Sequence, residues 1–193
     1  MSKSCVTKMK GLEMSDQYLW KKTGERNDLD YFLTAHEEAT GVGLSVITER
    51  ETPDFICEVE NRGNVGVELT KIITHPETRQ WHRLFGSGAM QCTWDIVDAI
   101  SCAVIQKAKK LRKAGWPTSE VILVIQLFDN PLSEIHRGLA KIDSGEFVEA
   151  GFSEIWITDH STIEAYGLVE VFALYPECFA GYYPLAFGRK PYG

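Results

Sequence analysis

Two acidic side chains within residues 53–71 are the first candidates for chemistry. Two apolar, β-branched runs, 55–59 and 65–69, flank a cluster of turn formers, so we expect a β-hairpin. Because side chains alternate along a strand, Asp54 and Glu68 are predicted to share one face, opposite the apolar residues. Two carboxylates that meet near strand ends bind a divalent cation or perturb each other's pKa.

A lysine near these acids would complete a hydrolytic site, and two positions are candidates. Lys71 follows Glu68 closely, but alternation places it on the opposite face unless a β-bulge turns it round. Lys107, in the helix predicted for 93–113, falls inside the apolar arc of a helical wheel. Because an unpaired buried ammonium is costly, a carboxylate site facing this arc would explain Lys107. The alternative is that Lys107 extends along the helix edge to solvent. The same wheel places three other lysines on the polar side: Lys109, Lys110 and Lys113.

The acids also have ordinary structural interpretations. An aspartate after a proline is typical of a turn, which would account for Asp54. Glu68 interrupts an apolar run and would otherwise be an outward-facing charge on a half-solvated sheet. Glu58 shares the face of Asp54 and either supports the site or faces solvent. His36 lies near the centre of the apolar stripe of the first predicted helix, so we expect a hydrogen-bonded core histidine.

The remaining patterns predict the order αβββαβ followed by αββ. A helix is expected between a cap at Asn27 or Asp28 and a stop at Gly41. The continuous apolar run at 121–128 predicts a strand buried on both faces with parallel neighbours. We therefore predict an α/β (mixed α+β) fold with a central mixed sheet flanked by helices. The other predicted elements are strands at 44–48, 55–59, 65–69, 154–158 and 168–174, and helices at 93–113 and 132–142.

The length of 193 residues suits one domain with a sizeable core. Residues 1–26 are polar and lysine-rich, and we interpret them as a loose N-terminal arm. Residues 27–193 then form the single domain, with a core at about 27–128 and a C-terminal elaboration at 129–193. Residues 72–92 have no clean period and are interpreted as a connection. Three basic residues on it are candidates for a phosphate-binding lip: Arg79, His82 and Arg83.

Composition narrows the class of protein. A net charge of −7 argues against a strongly non-specific nucleic-acid binder, although it leaves room for a local basic cleft. The five cysteines form no CxxC motif, and no signal-peptide pattern is present, so reduced thiols and a cytoplasmic location are expected. No apolar run reaches the roughly 20 residues that span a bilayer, so no membrane partner is expected.

Placed on this order of elements, two short motifs resemble those of the PD-(D/E)XK, or restriction-endonuclease-like, nuclease superfamily. The motifs are Pro-Asp-Phe at 53–55 and Gly-Val-Glu-Leu-Thr at 66–70, and the likeness covers about residues 27–128. It implies that Asp54 and Glu68 bind Mg²⁺ or Mn²⁺ together with the backbone carbonyl of Leu69. It also implies metal-assisted hydrolysis of a phosphodiester bond in nucleic acid, with DNA preferred to RNA.

The sequence departs from the superfamily motif at its lysine, because Thr70 occupies the position two residues after the second acid. This arrangement is similar to a subtype with Glu-x-Thr in which the lysine has moved to the following helix. The resemblance then implies Lys107 as the active-site lysine, with Lys71 as the alternative. It also implies Glu37 as a first-helix acid that contacts metal or water, although a solvated glutamate at the edge of the stripe is the competing interpretation.

A second class of function remains open at this point. The same fold without catalysis would serve as a binding or assembly module, and the Thr70 departure and the charge of −7 favour it. Nothing in the sequence indicates a homo-oligomer.

Overall fold

The structure is a computed structural model that describes residues 3–59, 62–72, 93–115 and 118–184, with side chains from Trp20 onward except at 93–95, 114 and 144. The predicted connection lies almost entirely outside these residues, and so does the basic group Arg79, His82 and Arg83. The helices and strands are α1 Lys3–Thr40, β1 Leu44–Glu49, β2 Phe55–Val59, β3 Gly63–Ile72, α2 Thr93–Ala114, β4 Val121–Leu127, α3 Leu132–Leu139, β5 Glu154–Asp159, α4 Ile163–Tyr166, β6 Glu170–Tyr175 and β7 Gly181–Tyr183.

The strands form one seven-stranded mixed sheet whose spatial order follows the chain from β1 to β7. The β3–β4 and β4–β5 pairs are parallel, and the other pairs are antiparallel. Every residue of the central strand β4 is buried, as its continuous apolar run predicts. The α/β class and the mixed sheet are therefore confirmed.

Each face of the sheet has its own helical layer. Leu29 and Phe32 of α1 pack on the face that carries Phe55 and Val67 of the hairpin. The opposite face is covered by α2 and α3, whose apolar residues meet the odd-numbered residues of β4 and β5, such as Leu123. This division follows the alternation of side chains along the strands. In the described part of the chain, no helix is both long enough and apolar enough to cross a membrane.

Helix α1 is longer than the sequence pattern predicts. A start at Asn27 or Asp28 is wrong, because the helix already begins at Lys3 and residue 26 lies inside it. Side-chain pairs one turn apart stabilise its solvated part, where no apolar stripe is needed. The helix ends as expected, since Gly41 has a φ of 72° and its N–H donates to the carbonyl of Glu37. The side-chain pairs that stabilise the solvated part of α1 are Lys21–Glu25 at 3.4 Å and Arg26–Asp30 at 3.1 Å.

Gly66 lets the residues before β2 pack closely against β3. A Cβ atom at this position would lie 2.8 Å from Cγ of Pro53 and 2.9 Å from Oγ1 of Thr118. Neither distance is compatible with a normal carbon contact, so a side chain at residue 66 must displace Pro53 or Thr118. Because Asp54 follows Pro53 directly, the small residue at Gly66 helps to fix the position of that acid.

Gly66→Ala is expected to lower the free energy of unfolding by about 1–3 kcal/mol, the usual cost of overpacking. Urea unfolding measures the change. The matched control is Gly43→Ala, since the nearest atoms to a Cβ there would be those of the Glu37 carboxylate, at 3.7–4.0 Å, which are ordinary contacts. Equal destabilisation by the two substitutions would contradict the close packing of Pro53 on Gly66.

Candidate active site

The hairpin brings the two predicted acids together at the N-terminal end of β2. In its antiparallel register Phe55 pairs with Val67, so one further step places Asp54 opposite Glu68 on the same face of the sheet. Strand β3 continues beyond this point without β2 beside it. Asp54 takes the place of the missing strand residue, because its Oδ2 accepts a hydrogen bond from the N–H of Leu69 at 2.8 Å.

Two lysines of α2 converge on the second acid. Glu68 is 1% exposed, and its Oε1 accepts hydrogen bonds from Nζ of Lys107 at 2.7 Å and of Lys110 at 2.9 Å. Lys107 also donates to the carbonyl of Leu69 at 3.3 Å. The lysine of the apolar arc therefore faces the acids.

The position predicted for Lys110 was wrong. It follows Lys107 by three residues, so both lie on neighbouring turns of one helix face, and its long side chain reaches inward from a half-exposed position.

Asp54 has an unusual protonation equilibrium. Burial is the largest cause that raises its pKa, and repulsion from Glu68 adds to it. The N–H of Leu69 and the ammonium of Lys107 act in the opposite direction, but the pKa still rises from 3.8 to about 6. A further positive charge placed beside this carboxyl group would favour its ionised form and lower its pKa.

The donor atoms at this point fit a partial site for a hard divalent cation. Oε2 of Glu68 is buried and has no hydrogen-bond partner, while Asp54 and the carbonyl of Leu69 supply oxygens nearby. Mg²⁺ is commonly held by one or two carboxylates and keeps several waters. Over the described residues no group of three or more His, Cys, Asp or Glu side chains is placed to hold a metal ion. Any metal here would thus depend on water and substrate for its other ligands.

Lys71 lies where strand alternation places it, away from the acids. Its Nζ contacts Oδ2 of Asp28 on α1 at 2.8 Å, on the opposite side of the sheet from Glu68. Strand β3 keeps an unbroken register with β4 from Gly66 to Ile72, so no bulge turns Lys71 round. Thr70 is two residues after Glu68 and is only partly buried, at the margin of the site.

Glu37 and Glu58 are not brought to the two acids. Glu37 lies beside Gly43, just before β1, whereas Asp54 adjoins the other end of that strand, where Glu49 pairs with Phe55. Glu58 is exposed on β2. The structure therefore gives both glutamates the solvated positions that were the alternatives to a role in the site.

The acid that α1 does place near Asp54 is Glu25. Its charge contributes to the raised pKa of Asp54, and its carboxylate pairs with Lys22 at 3.2 Å. Lys22 in turn lies 3.8 Å from Glu51, in the turn before β2. Sequence analysis missed Glu25 because the polar composition of residues 1–26 predicts a loose arm. The signal available was the spacing of Lys21, Lys22 and Glu25, which suits one turn of helix.

His36 is a core histidine, as predicted. It is 1% exposed, and its ring nitrogens contact the carbonyl of Val42 at 3.1 Å and Oε2 of Glu154 at 2.9 Å. Trp156 donates to the same Glu154 oxygen at 2.7 Å. Burial alone would raise the pKa of Glu154, but the bonds from His36 and Trp156 outweigh it and lower the pKa. The buried polar atoms of this group form their hydrogen bonds within the core, and the group is separate from the candidate site.

Comparison with protein-family models, curated proteins and solved structures finds no match to this chain. Its function is therefore inferred from the site itself. The site combines two carboxylates, one with a raised pKa, with two ammonium groups at the open end of a strand pair. That combination suits the binding of a metal ion together with an anionic substrate.

Proposed function

We propose that the protein is a metal-dependent nuclease of the PD-(D/E)XK type, acting in the cytoplasm on DNA rather than RNA. The observation that supports this most is the convergence of Asp54, Glu68 and Lys107 at one strand end. These residues come from three elements, β3, α2 and the turn before β2. The buried and partly unpaired state of the acids costs stability, which is typical of a functional site.

Each residue has a distinct role in this proposal. Asp54, Glu68 and the carbonyl of Leu69 would hold Mg²⁺ or Mn²⁺, which supplies an activated water and neutralises charge on the phosphate. Lys107 holds Glu68 in position and presents positive charge beside the acids. Lys110, which is half exposed, provides a second positive charge for the phosphate backbone. Thr70 is too short to replace a lysine, so α2 supplies that charge.

The test is cleavage of plasmid and single-stranded DNA in the presence of Mg²⁺ or Mn²⁺. Asp54→Asn, Glu68→Gln and Lys107→Met are each expected to reduce the rate by about 100-fold or more, because the first two remove a carboxylate that would hold the metal and the third removes the positive charge beside it. Matched controls are Glu58→Gln, on the same face of the hairpin, and Lys109→Met, exposed on α2. Unchanged cleavage in the Asp54 and Glu68 variants would reject the site.

The second candidate function is a binding or assembly module without catalysis. One observation favours it: Oε1 of Glu68 already accepts two lysine bonds, so the acid is neutralised without a metal. Isothermal titration with Mg²⁺ and Mn²⁺ distinguishes the two functions. An intact fold with no affinity for either ion would favour the module.

A further inference from the structure

A cleft opens on the α1 side of the sheet, next to the candidate active site. Its volume is about 440 Å³, within the range of about 300–1,000 Å³ that is usual for ligand pockets. It lies between the middle of α1 and the carboxyl ends of the parallel strands β3 and β4. Its walls include Trp20, Lys21 and Glu25 of α1, and Thr70, Lys71 and Gln126 of the strands.

A buried amide at this cleft has an oxygen without a partner. Gln126 is fully buried, and its Oε1 forms no hydrogen bond, although the residue lines the cleft. Leaving a buried acceptor unpaired costs about 1–3 kcal/mol, so a native protein that keeps one usually has a use for it. A ligand with an N–H group would satisfy this oxygen.

The neighbours of Gln126 hold the amide in the orientation that leaves its oxygen free. Oδ1 of Asp28 lies 3.5 Å from Nδ1 of His160, and Nε2 of His160 lies 3.4 Å from the amide nitrogen of Gln126. Burial is the largest cause that lowers the pKa of His160, and Lys71 adds to it against the opposing charge of Asp28. The amide nitrogen of Gln126 is the atom on the side of the imidazole, whose Nε2 also lies 3.1 Å from Oγ1 of Thr158. The amide oxygen of Gln126 must then point elsewhere.

The other wall offers an aromatic face and positive charge. Trp20 is 79% exposed, which is unusual for a side chain of this size on a helix of a folded domain. Lys21 follows it with its side chain 67% exposed and pairs with Glu25, and Lys71 lies across the cleft with 42% of its side chain exposed and pairs with Asp28. An aromatic ring beside lysines is the usual arrangement for stacking a base while holding its phosphate.

We propose that this cleft binds one unpaired nucleotide of the nucleic-acid substrate, with its base stacked on Trp20 and its N–H edge bonded to Gln126. The inference rests on the proposed nuclease function and extends it to the choice of substrate. A paired base inside a duplex presents neither its face nor its pairing edge to a recessed pocket, so the substrate here is single-stranded or locally unpaired.

The cleft and the candidate site are connected through shared residues. Thr70 lines the cleft and lies two residues from Glu68, and Glu25 lines it while its charge acts on Asp54. Asp54 and Glu68 are not part of the cleft wall, so a nucleic-acid strand with one nucleotide in the cleft would pass the end of β3 before a neighbouring phosphate reaches the acids. The cleft would select an unpaired segment, and the neighbouring site would act on an adjacent phosphate.

The test measures binding of dAMP, dCMP, dGMP and dTMP to the full chain in EDTA by isothermal titration, so that no metal or cleavage is involved. Deoxyribose 5-phosphate, which lacks the base, is expected to bind at least tenfold more weakly. Trp20→Ala is expected to weaken nucleotide binding about tenfold, as loss of base–aromatic stacking does elsewhere. The matched control is Tyr166→Ala, because Tyr166 is 50% exposed but is not part of the cleft wall.

Equal binding of the nucleotide and the sugar phosphate would overturn the inference, and so would nucleotide binding that Trp20→Ala leaves unchanged. No detectable nucleotide binding by a folded wild-type chain would also overturn it. The failure of the proposed function is distinguishable from these results. Nucleotide binding without any cleavage would reject the nuclease and retain the base-binding cleft. Cleavage that proceeds equally on duplex and single-stranded DNA, and that Trp20→Ala leaves unchanged, would reject the cleft alone.

Discussion

Asp54→Asn is expected to make the metal-free protein more stable at pH 8, by about 1–3 kcal/mol, while it removes one of the two candidate acids. The pKa of Asp54 rises from 3.8 to about 6 in the folded chain, so a charge that the fold disfavours is present at pH 8. Asparagine has no charge, and its amide oxygen still accepts the N–H of Leu69. The substitution therefore removes an electrostatic penalty and keeps the hydrogen bond that completes the end of β2.

The pH dependence has a definite sign. Below about pH 4 both the folded and the unfolded chain carry a proton on Asp54, so the wild type and Asp54→Asn should differ little. Between pH 4 and about pH 6 only the folded chain keeps the proton, and the wild type loses stability as the pH rises. A shift of about two pH units corresponds to at most roughly 3 kcal/mol, and the loss is complete above pH 6.

Urea unfolding in EDTA at pH 4, 6 and 8 measures this effect for the wild type and for Asp54→Asn. Glu58→Gln is the matched control, since Glu58 is exposed on the same face of the hairpin and should show no such pH-dependent gain. A variant that is equally stable or less stable than the wild type at pH 8 would contradict the raised pKa of Asp54.

The second large effect is expected from the two lysines that share Glu68. Lys107→Met or Lys110→Met alone should lower the free energy of unfolding by only about 1 kcal/mol, because the remaining ammonium still pairs with Oε1 of Glu68. Removing both leaves a carboxylate that is 1% exposed without a positive partner. Breaking a buried pair in this way costs about 3–5 kcal/mol, so the double variant should lose more than the sum of the single ones.

A third substitution separates loss of pairing from loss of packing. Adding Glu68→Gln to the double lysine variant removes the uncompensated charge and should recover most of the lost stability. Chemical unfolding of the four lysine combinations, with and without Glu68→Gln, gives the coupling directly. Strict additivity of the two lysine substitutions would show that they do not act on the same carboxylate.

Most of the sheet could be predicted from local patterns. The run of β4, which is apolar except for Gln126, has the composition that burial on both faces requires, and it is the central strand with two parallel neighbours. Alternation in the hairpin correctly separated Glu68 from Lys71, because a strand without a bulge has no other way to orient its side chains. The last strand, β7, is absent from the predicted elements, since three residues are too few to show a period.

The parts of the site that sequence analysis missed depend on side-chain reach and on elements without a periodic signal. A helical wheel assigns a residue to a face by its Cα direction, so it could not show that Lys110 bends back towards Glu68. Glu25 lies on a solvated stretch of α1 whose mixture of polar residues resembles a loose arm. The contact between Gln126 of β4 and His160, which directly follows β5, joins residues 34 apart in sequence, and only the pairing of these two strands reveals it.

The unbroken course of α1 restricts which changes in length the protein can accept. Leu29 and Phe32 pack the helix against the sheet, and Trp20 and Glu25 of the same continuous helix form part of the cleft wall. A helix turns by about 100° with every residue, so one residue inserted after Gly24 would swing Trp20 to another side while Leu29 and Phe32 stayed in place. Natural variants of this segment should therefore preserve the number of residues between Trp20 and Leu29 more strictly than their identity.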